Sequence, residues 1–263
     1  MALDTAYNYR GFTSHRRLSA VASDLLDEFD VSTKVGFFPG DGDVPVHSLD
    51  TVRLCDAIDE SANTLGVVPE VVLLHNPERS MPGNDRAAEL DQLTAACLVL
   101  DGAVTSGLCR SWGWSSWDPR ALAAALPDAA AASPIPAPRV LMVRAGLLVG
   151  ADVLDAGEHL ATMFGLDTAA RWGMSPFGGE VERAVWDRID PRSFLGAHQQ
   201  ASVAQALLRL AFDLPQVGRI ALGTDNPDHL DDAITATSLA VDEVRTERYR
   251  VLLRGAKVRT VSP

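Results

Sequence analysis

Apolar positions along the chain fall into two recurring patterns. The first is a short run bounded by polar or turn residues. Val31-Ser32-Thr33-Lys34-Val35-Gly36 is one such run, and it leads into a Gly/Pro/Asp loop from Pro39 to Pro45. Val71-Val72-Leu73-Leu74-His75 is apolar until its last residue, the pattern of a strand buried on both faces of a parallel sheet. Ser111-Trp112-Gly113-Trp114-Ser115, Arg139 to Arg144, Arg171 to Met174 and Arg219 to Gly223 complete the set, with a stub at residues 1–5. The second pattern is a longer stretch with helical spacing. It predicts helices over Asp50 to Leu65, over Asp85 to Leu100, after Asp118-Pro119 into the Ala-rich positions 121–132, which read as a helix and then a linker, and from Pro227 onward.

Strand followed by helix, repeated, implies parallel βαβ units. About seven strands are expected in one domain spanning 1–263, since the Ala/Pro-rich stretch Ala129 to Pro138 reads as a connecting loop. A Gly-rich dinucleotide fingerprint after the first strand is absent, which favours a (β/α)8 barrel of the TIM type over a doubly wound sheet. Asp4, Lys34, His75 and Ser115 each stand at the carboxyl end of a strand, where a barrel gathers its functional side chains.

Composition narrows the function. The chain has 263 residues, 47% hydrophobic and 22% charged, and 35 acidic against 23 basic side chains give a formal charge of -12. So acidic a surface disfavours nucleic acid and anionic membrane as partners. No apolar run reaches the length of a bilayer span, and the start lacks the pattern of a signal peptide. Cys55, Cys97 and Cys109 have neither metal-ligand spacing nor an even count, so the cytoplasm is expected and no metal.

Four residues form a coherent chemical set: Asp4, Tyr9, Lys34 and His75. A phenol donates a proton poorly at neutral pH, and a neighbouring ammonium lowers its pKa. A carboxylate holds that ammonium, and an imidazole orients a carbonyl oxygen. Tyr7 competes with Tyr9 as the tyrosine of the set.

These residues carry a resemblance to the aldo-keto reductase family. Asp4-Thr5-Ala6-Tyr7-Asn8-Tyr9 resembles its Asp-Thr-Ala-x-x-Tyr motif, Ser32-Thr33-Lys34-Val35-Gly36 its lysine strand, and Leu73-Leu74-His75-Asn76-Pro77-Glu78 its histidine strand. Trp114-Ser115-Ser116 is similar to the segment that holds the nicotinamide carboxamide, with Ser116 in place of the usual Asn. Gly173-Met174-Ser175-Pro176-Phe177-Gly178 resembles the Tyr-Ser-Pro-Leu-Gly turn, with Met174 where an aromatic residue usually stacks on the nicotinamide. Gly223-Thr224-Asp225-Asn226-Pro227-Asp228-His229 resembles the last strand and the start of the phosphate-binding helix.

The resemblance implies reduction of an aldehyde or ketone by NADPH or NADH, with a small-molecule substrate. Tyr9 would be the proton donor, tuned by Lys34 and Asp4, with His75 orienting the substrate. Ser115, Ser116, Ser175, Phe177, Gly223, Thr224, Asp225 and His229 would bind the cofactor. Asp225, near the usual place of a 2′-phosphate, suits a ribose hydroxyl better. A non-redox dehydratase, isomerase or cyclase on the same scaffold is the alternative, and a binding protein a further one. The family's first strand precedes the Asp-Thr-Ala motif, so the barrel is expected to be incomplete there or circularly permuted. Residues 247–260 read as two short strands around Gly255 that would pack near the gap. His198-Gln199-Gln200 and Glu158-His159 read as surface helix.

Overall fold

The computed structural model describes residues 2–42, 44–126, 135–179 and 181–259. The chain divides into two compact units, Met1–Met142 with Leu160–Leu166, and Val143–His159 with Asp167–Pro263.

In the first unit, β1 (Ala2–Asp4), β2 (Asp30–Val35), β5 (Val71–His75) and β6 (Ser111–Ser116) pair in parallel in that order. Between β2 and β5 stands a short antiparallel hairpin, β3 (Phe37–Phe38) with β4 (Val46–His47), which the sequence pattern does not announce. The first turn after β1, α1 (Tyr9–Phe12), is kinked by left-handed Arg10 and Gly11 and leads into α2 (Ser14–Ala22). Helix α3 (Thr51–Leu65) starts under an Asp50 cap on Arg53 N and ends at left-handed Gly66. Helix α4 (Arg86–Thr105) starts under Asp85, which caps Ala88 N. Helix α5 (Arg120–Ala125) begins one residue later than expected, with Pro119 itself at the cap position.

Strand β7 (Val140–Arg144) contains the boundary between the units. In the first unit Arg139 N donates to Trp112 O at 2.9 Å. This pairing needs a glycine on β6, because a Cβ at Gly113 would lie 2.1 Å from Val140 O.

The second unit holds β8 (Arg171–Met174) and β9 (Arg219–Ala221), paired in parallel, with α6 (Ala151–Met163), α7 (Val203–Ala211), α8 (Pro227–Ala236) and α9 (Glu243–Arg259). Helix α6 runs across the boundary and ends in the first unit. The core of the second unit is Leu147, Val149, Val153, Leu154, Phe194, Leu207, Leu210 and Leu214.

The tail corrects one expectation. Residues 247–259 are not a hairpin but part of α9, and Gly255 lies inside the helix rather than in a turn. The reason is a period of four. Tyr249 and Leu253 both pack on the core around Phe194, while Arg250 pairs with Glu158 and Arg254 with Asp155 at 2.6 Å. One helical face thus carries both the apolar and the cationic contacts, so no strand from this segment replaces a first barrel strand. His198 and Gln199 are not helical either. His198 has φ 66, and the Gln199 amide exchanges two 2.8 Å hydrogen bonds with the backbone of Ala240. The Ala-rich positions 127–134 and residue 260 lie outside the described residues.

Gly113→Ala is expected to destabilise the chain by about 3 kcal/mol or more, because the added methyl meets backbone rather than a movable side chain. Urea denaturation checks this; a midpoint within error of the unsubstituted chain contradicts it.

Candidate active site

Pairing register decides which side chains share a face. Asp4 stands opposite Ser32, Lys34 opposite Leu73, and His75 opposite Ser115. Side chains alternate along a strand, so Asp4, Ser32, Lys34, Leu73, His75 and Ser115 all project from one face of the four-stranded sheet. The three titratable groups lie toward the strand ends from which the loops depart.

Lys34 is 1% exposed, so its ammonium must be paired. Its Nζ donates to Asp4 Oδ2 at 2.5 Å and to Thr5 O at 2.9 Å. The other Asp4 oxygen accepts from Ser32 Oγ at 2.8 Å. The third ammonium hydrogen has no hydrogen-bond partner among the described residues, and Nζ lies 4.9 Å from the centre of the Tyr9 ring. Tyr9 is 39% exposed, at the open side of this group, and its ring meets His75 edge-on at 6.0 Å between centroids.

Tyr7 is placed elsewhere. Its hydroxyl donates to Glu60 on α3 at 2.6 Å, and burial together with that carboxylate pushes its pKa up to about 12. The structure therefore brings Asp4, Tyr9, Lys34 and His75 together and leaves Tyr7 outside.

The imidazole of His75 is held neutral. Burial, and then the positive charges of Lys34 and Arg79, pull its pKa down to about 3. Its Nδ1 has no hydrogen-bond partner among the described residues. Its backbone is tied down by a residue that the sequence did not flag. His47 Nε2 donates to His75 O at 2.9 Å, while His47 Nδ1 accepts from Ser80 Oγ at 2.8 Å. Gly36 permits this approach: a Cβ there would lie 3.1 Å from His75 O. No sequence signal marks His47, because its role depends on a hairpin of two-residue strands. Glu78 was also missed: its carboxylate accepts from Trp117 N at 2.8 Å and Asp118 N at 3.0 Å, fixing the turn after β6.

Of the residues expected to bind a cofactor, Ser115 and Ser116 are fully buried in the first unit. Ser115 stands beside His75 in register, and Ser116, one residue on, neighbours Glu78. In the second unit Phe177, Gly223, Thr224 and His229 line a cavity of about 370 Å³, together with Leu208, Glu182 and Asp232. Ser175 and Asp225 are not on that lining. Ser175 has left-handed φ 55 and its carbonyl accepts from Gly178 N, closing the turn, while Asp225 is exposed.

The family model for the aldo/keto reductase family matches residues 1–141, more than half of the chain and all of the cluster just described. The chain belongs to the aldo/keto reductase family. Membership supports an NAD(P)H-dependent oxidoreductase. Solved aldo-keto reductases match over nearly the whole length. One from Bacillus halodurans, in its holo form, has a TM-score of 0.70 at 16% identity, covering 96% of this chain and 82% of that one. A thermostable aldo-keto reductase solved with the inhibitor epalrestat has a TM-score of 0.68 at 18% identity, covering 95% and 81%. One from Klebsiella pneumoniae, in complex with NADPH, has a TM-score of 0.65 at 16% identity, covering 96% and 80%. No curated protein sequence matches the chain. These likenesses establish the fold class: α/β, of the TIM-barrel type. Among the described residues no helix is long and apolar enough to cross a membrane, and no three His, Cys, Asp or Glu side chains cluster as metal ligands would.

His75 and the buried His15, whose Nε2 meets Thr33 Oγ1 at 2.8 Å, both have lowered pKa values, about 3 and about 4. The unfolded chain protonates both near pH 6.5 while the folded chain does not, so folding stability is full above that pH and falls as pH drops toward 4. Between pH 7 and pH 5 the loss is expected to be about 3 kcal/mol. Denaturant titrations at both pH values read it; a flat profile would mean that these imidazoles already carry protons in the fold.

Proposed function

We propose that this reductase reduces an aldehyde or ketone, with Tyr9 as the proton donor. The observation that carries the reading is the placement of the Tyr9 ring against both the Lys34 ammonium and the neutral His75 imidazole. His75 has no proton to give near neutrality, so its part is to orient the substrate oxygen by a hydrogen bond. Lys34 is committed to Asp4 and Thr5 through two of its hydrogens. The third is available to a phenol oxygen, and its positive charge favours the phenolate left when Tyr9 gives up its proton. Asp4 keeps the ammonium charged in its buried position.

A nicotinamide cofactor, when bound, supplies the hydride. The chain's residues fit such a group. Ser115, in register with His75, stands where the resemblance puts the carboxamide, and the cavity of the second unit has the size and apolar walls that suit a nucleoside. Within the second unit Phe177, Gly223, Thr224 and His229 would hold the nucleoside, with Ser175 and Asp225 in the flanking turns. The cavity lining has no lysine or arginine, and it contains Glu182 and Asp232. Such a lining supports NADH over NADPH, because a 2′-phosphate would meet carboxylates there and no cation.

Two measurements test the reading. Tyr9→Phe is expected to lower kcat for NADH-dependent aldehyde reduction by about 100-fold or more, with Tyr7→Phe within about threefold of the unsubstituted enzyme. Undiminished turnover in Tyr9→Phe overturns Tyr9 as the donor. In a fluorescence titration NADH should bind about tenfold more tightly than NADPH, equivalent to about 1.4 kcal/mol. Equal or reversed affinities contradict the preference, and no binding of either at millimolar concentration removes the redox reading.

A further inference from the structure

The ring of Phe37 contacts both His75 and Arg79. Its edge meets the His75 ring at 4.9 Å between centroids, with the planes 75° apart, and the Arg79 guanidinium carbon lies 5.5 Å from its centroid. Arg79 is aimed there by a rigid turn. After β5, Asn76 takes a left-handed conformation and its N–H donates to Ser115 O at 2.6 Å. Arg79 N then donates to Asn76 O at 3.0 Å, and the next residue, Ser80, is held by His47.

The guanidinium itself is exposed and has no carboxylate partner among the described residues. That is notable in a chain with 35 acidic side chains, where Arg120, Arg192 and Arg254 each find one. The nearest carboxylate in sequence, Glu78, is spent on the backbone of Trp117 and Asp118. The other arginine stacked on the hairpin, Arg53, covers Phe38 at 4.7 Å, the ring that faces Tyr7. Arg79 therefore sits one ring away from His75 and remains free to take a ligand. The cations that act on His75 are Lys34 and Arg79, so positive charge gathers at this site although the protein as a whole is acidic.

We propose that the carbonyl substrate carries a carboxylate, which pairs with Arg79 while the substrate's apolar body lies on the Phe37 and Tyr9 rings. A planar guanidinium accepts a carboxylate through two parallel hydrogen bonds, and the ring beneath it keeps the fork oriented. The proposal rests on the reductase reading above. Arg79 is then a specificity-determining residue and takes no part in the transfer of the proton.

The test compares 4-formylbenzoate and 4-oxobutanoate with their methyl esters, using NADH and NADPH, in the unsubstituted enzyme, Arg79→Gln and Arg79→Lys. The unsubstituted enzyme is expected to favour each acid over its ester by about tenfold or more in kcat/KM. Arg79→Gln should remove that advantage mainly through KM, leaving the esters within about twofold, and Arg79→Lys should restore part of it. Added salt should raise KM for the acids alone. Esters turned over as well as the acids, or acids and esters equally impaired by Arg79→Gln, would overturn the proposal while leaving the reductase reading in place. If no probe is reduced and neither cofactor binds, both fail together.

Discussion

A lysine with 1% of its surface exposed cannot stay charged without a partner, and the site is organised around that constraint. Asp4 is the partner, and it belongs to a strand of only three residues at the edge of the described sheet. Such a strand has few backbone hydrogen bonds of its own. The ion pair, the Ser32 hydroxyl on the other carboxylate oxygen, and the Thr5 carbonyl on the ammonium bind it to β2. Removing the Asp4 carboxylate would leave the ammonium buried and uncompensated, a cost of about 3 to 5 kcal/mol. The same three contacts direct Lys34 toward Tyr9, so the element that secures the strand also sets the electrostatics at the phenol.

The strands were legible because their chemistry is simple. Continuous apolar runs such as Val71 to Leu74 have no other stable place than the interior of a parallel sheet, and the polar residue that closes each run marks its carboxyl end. Asp4, Lys34 and His75 could be picked out for that reason. What the sequence could not separate was Tyr7 from Tyr9, two residues apart in one motif. The choice is made by Glu60, on a helix distant in sequence, which takes the Tyr7 hydroxyl. His47 was equally hidden, since a hairpin of two-residue strands leaves no periodic trace. The tail was misread because Gly255 suggests a turn and the flanking residues alternate locally. The longer spacing of Tyr249 with Leu253 and Arg250 with Arg254 is the signal that the fold obeys. Short local alternation is weak evidence against i, i+4 pairs that share one helical face.

Net charge gave a true picture of the surface and a misleading one of the site. A formal charge of -12 argues against phosphate-backbone partners, yet His75 is depressed first by burial and then by the cations Lys34 and Arg79. The two facts are compatible because screening confines exposed charges to about 8–10 Å at physiological ionic strength, whereas the buried Lys34 acts through a medium that screens little. The hairpin sharpens the contrast. It brings the Phe37 ring against His75 and offers its other face region to Arg79, so that positive charge is concentrated where the sheet opens.

Two imidazoles and two tyrosines stand near one another in the first unit, and burial sorts them into separate tasks. His47 spends both ring nitrogens on Ser80 and the His75 carbonyl, so it is a strut. His75, its pKa pulled down to about 3 chiefly by burial, is neutral near neutral pH, which leaves it able to orient an oxygen but not to act as an imidazolium acid. Burial, with the Glu60 carboxylate that takes its hydroxyl, pushes the Tyr7 pKa up to about 12, away from proton donation. Tyr9 alone of the four combines an open position with an ammonium at its ring. Proton donation in the proposed reaction therefore falls to Tyr9 by the electrostatics of its neighbours, independently of the motif in which it stands.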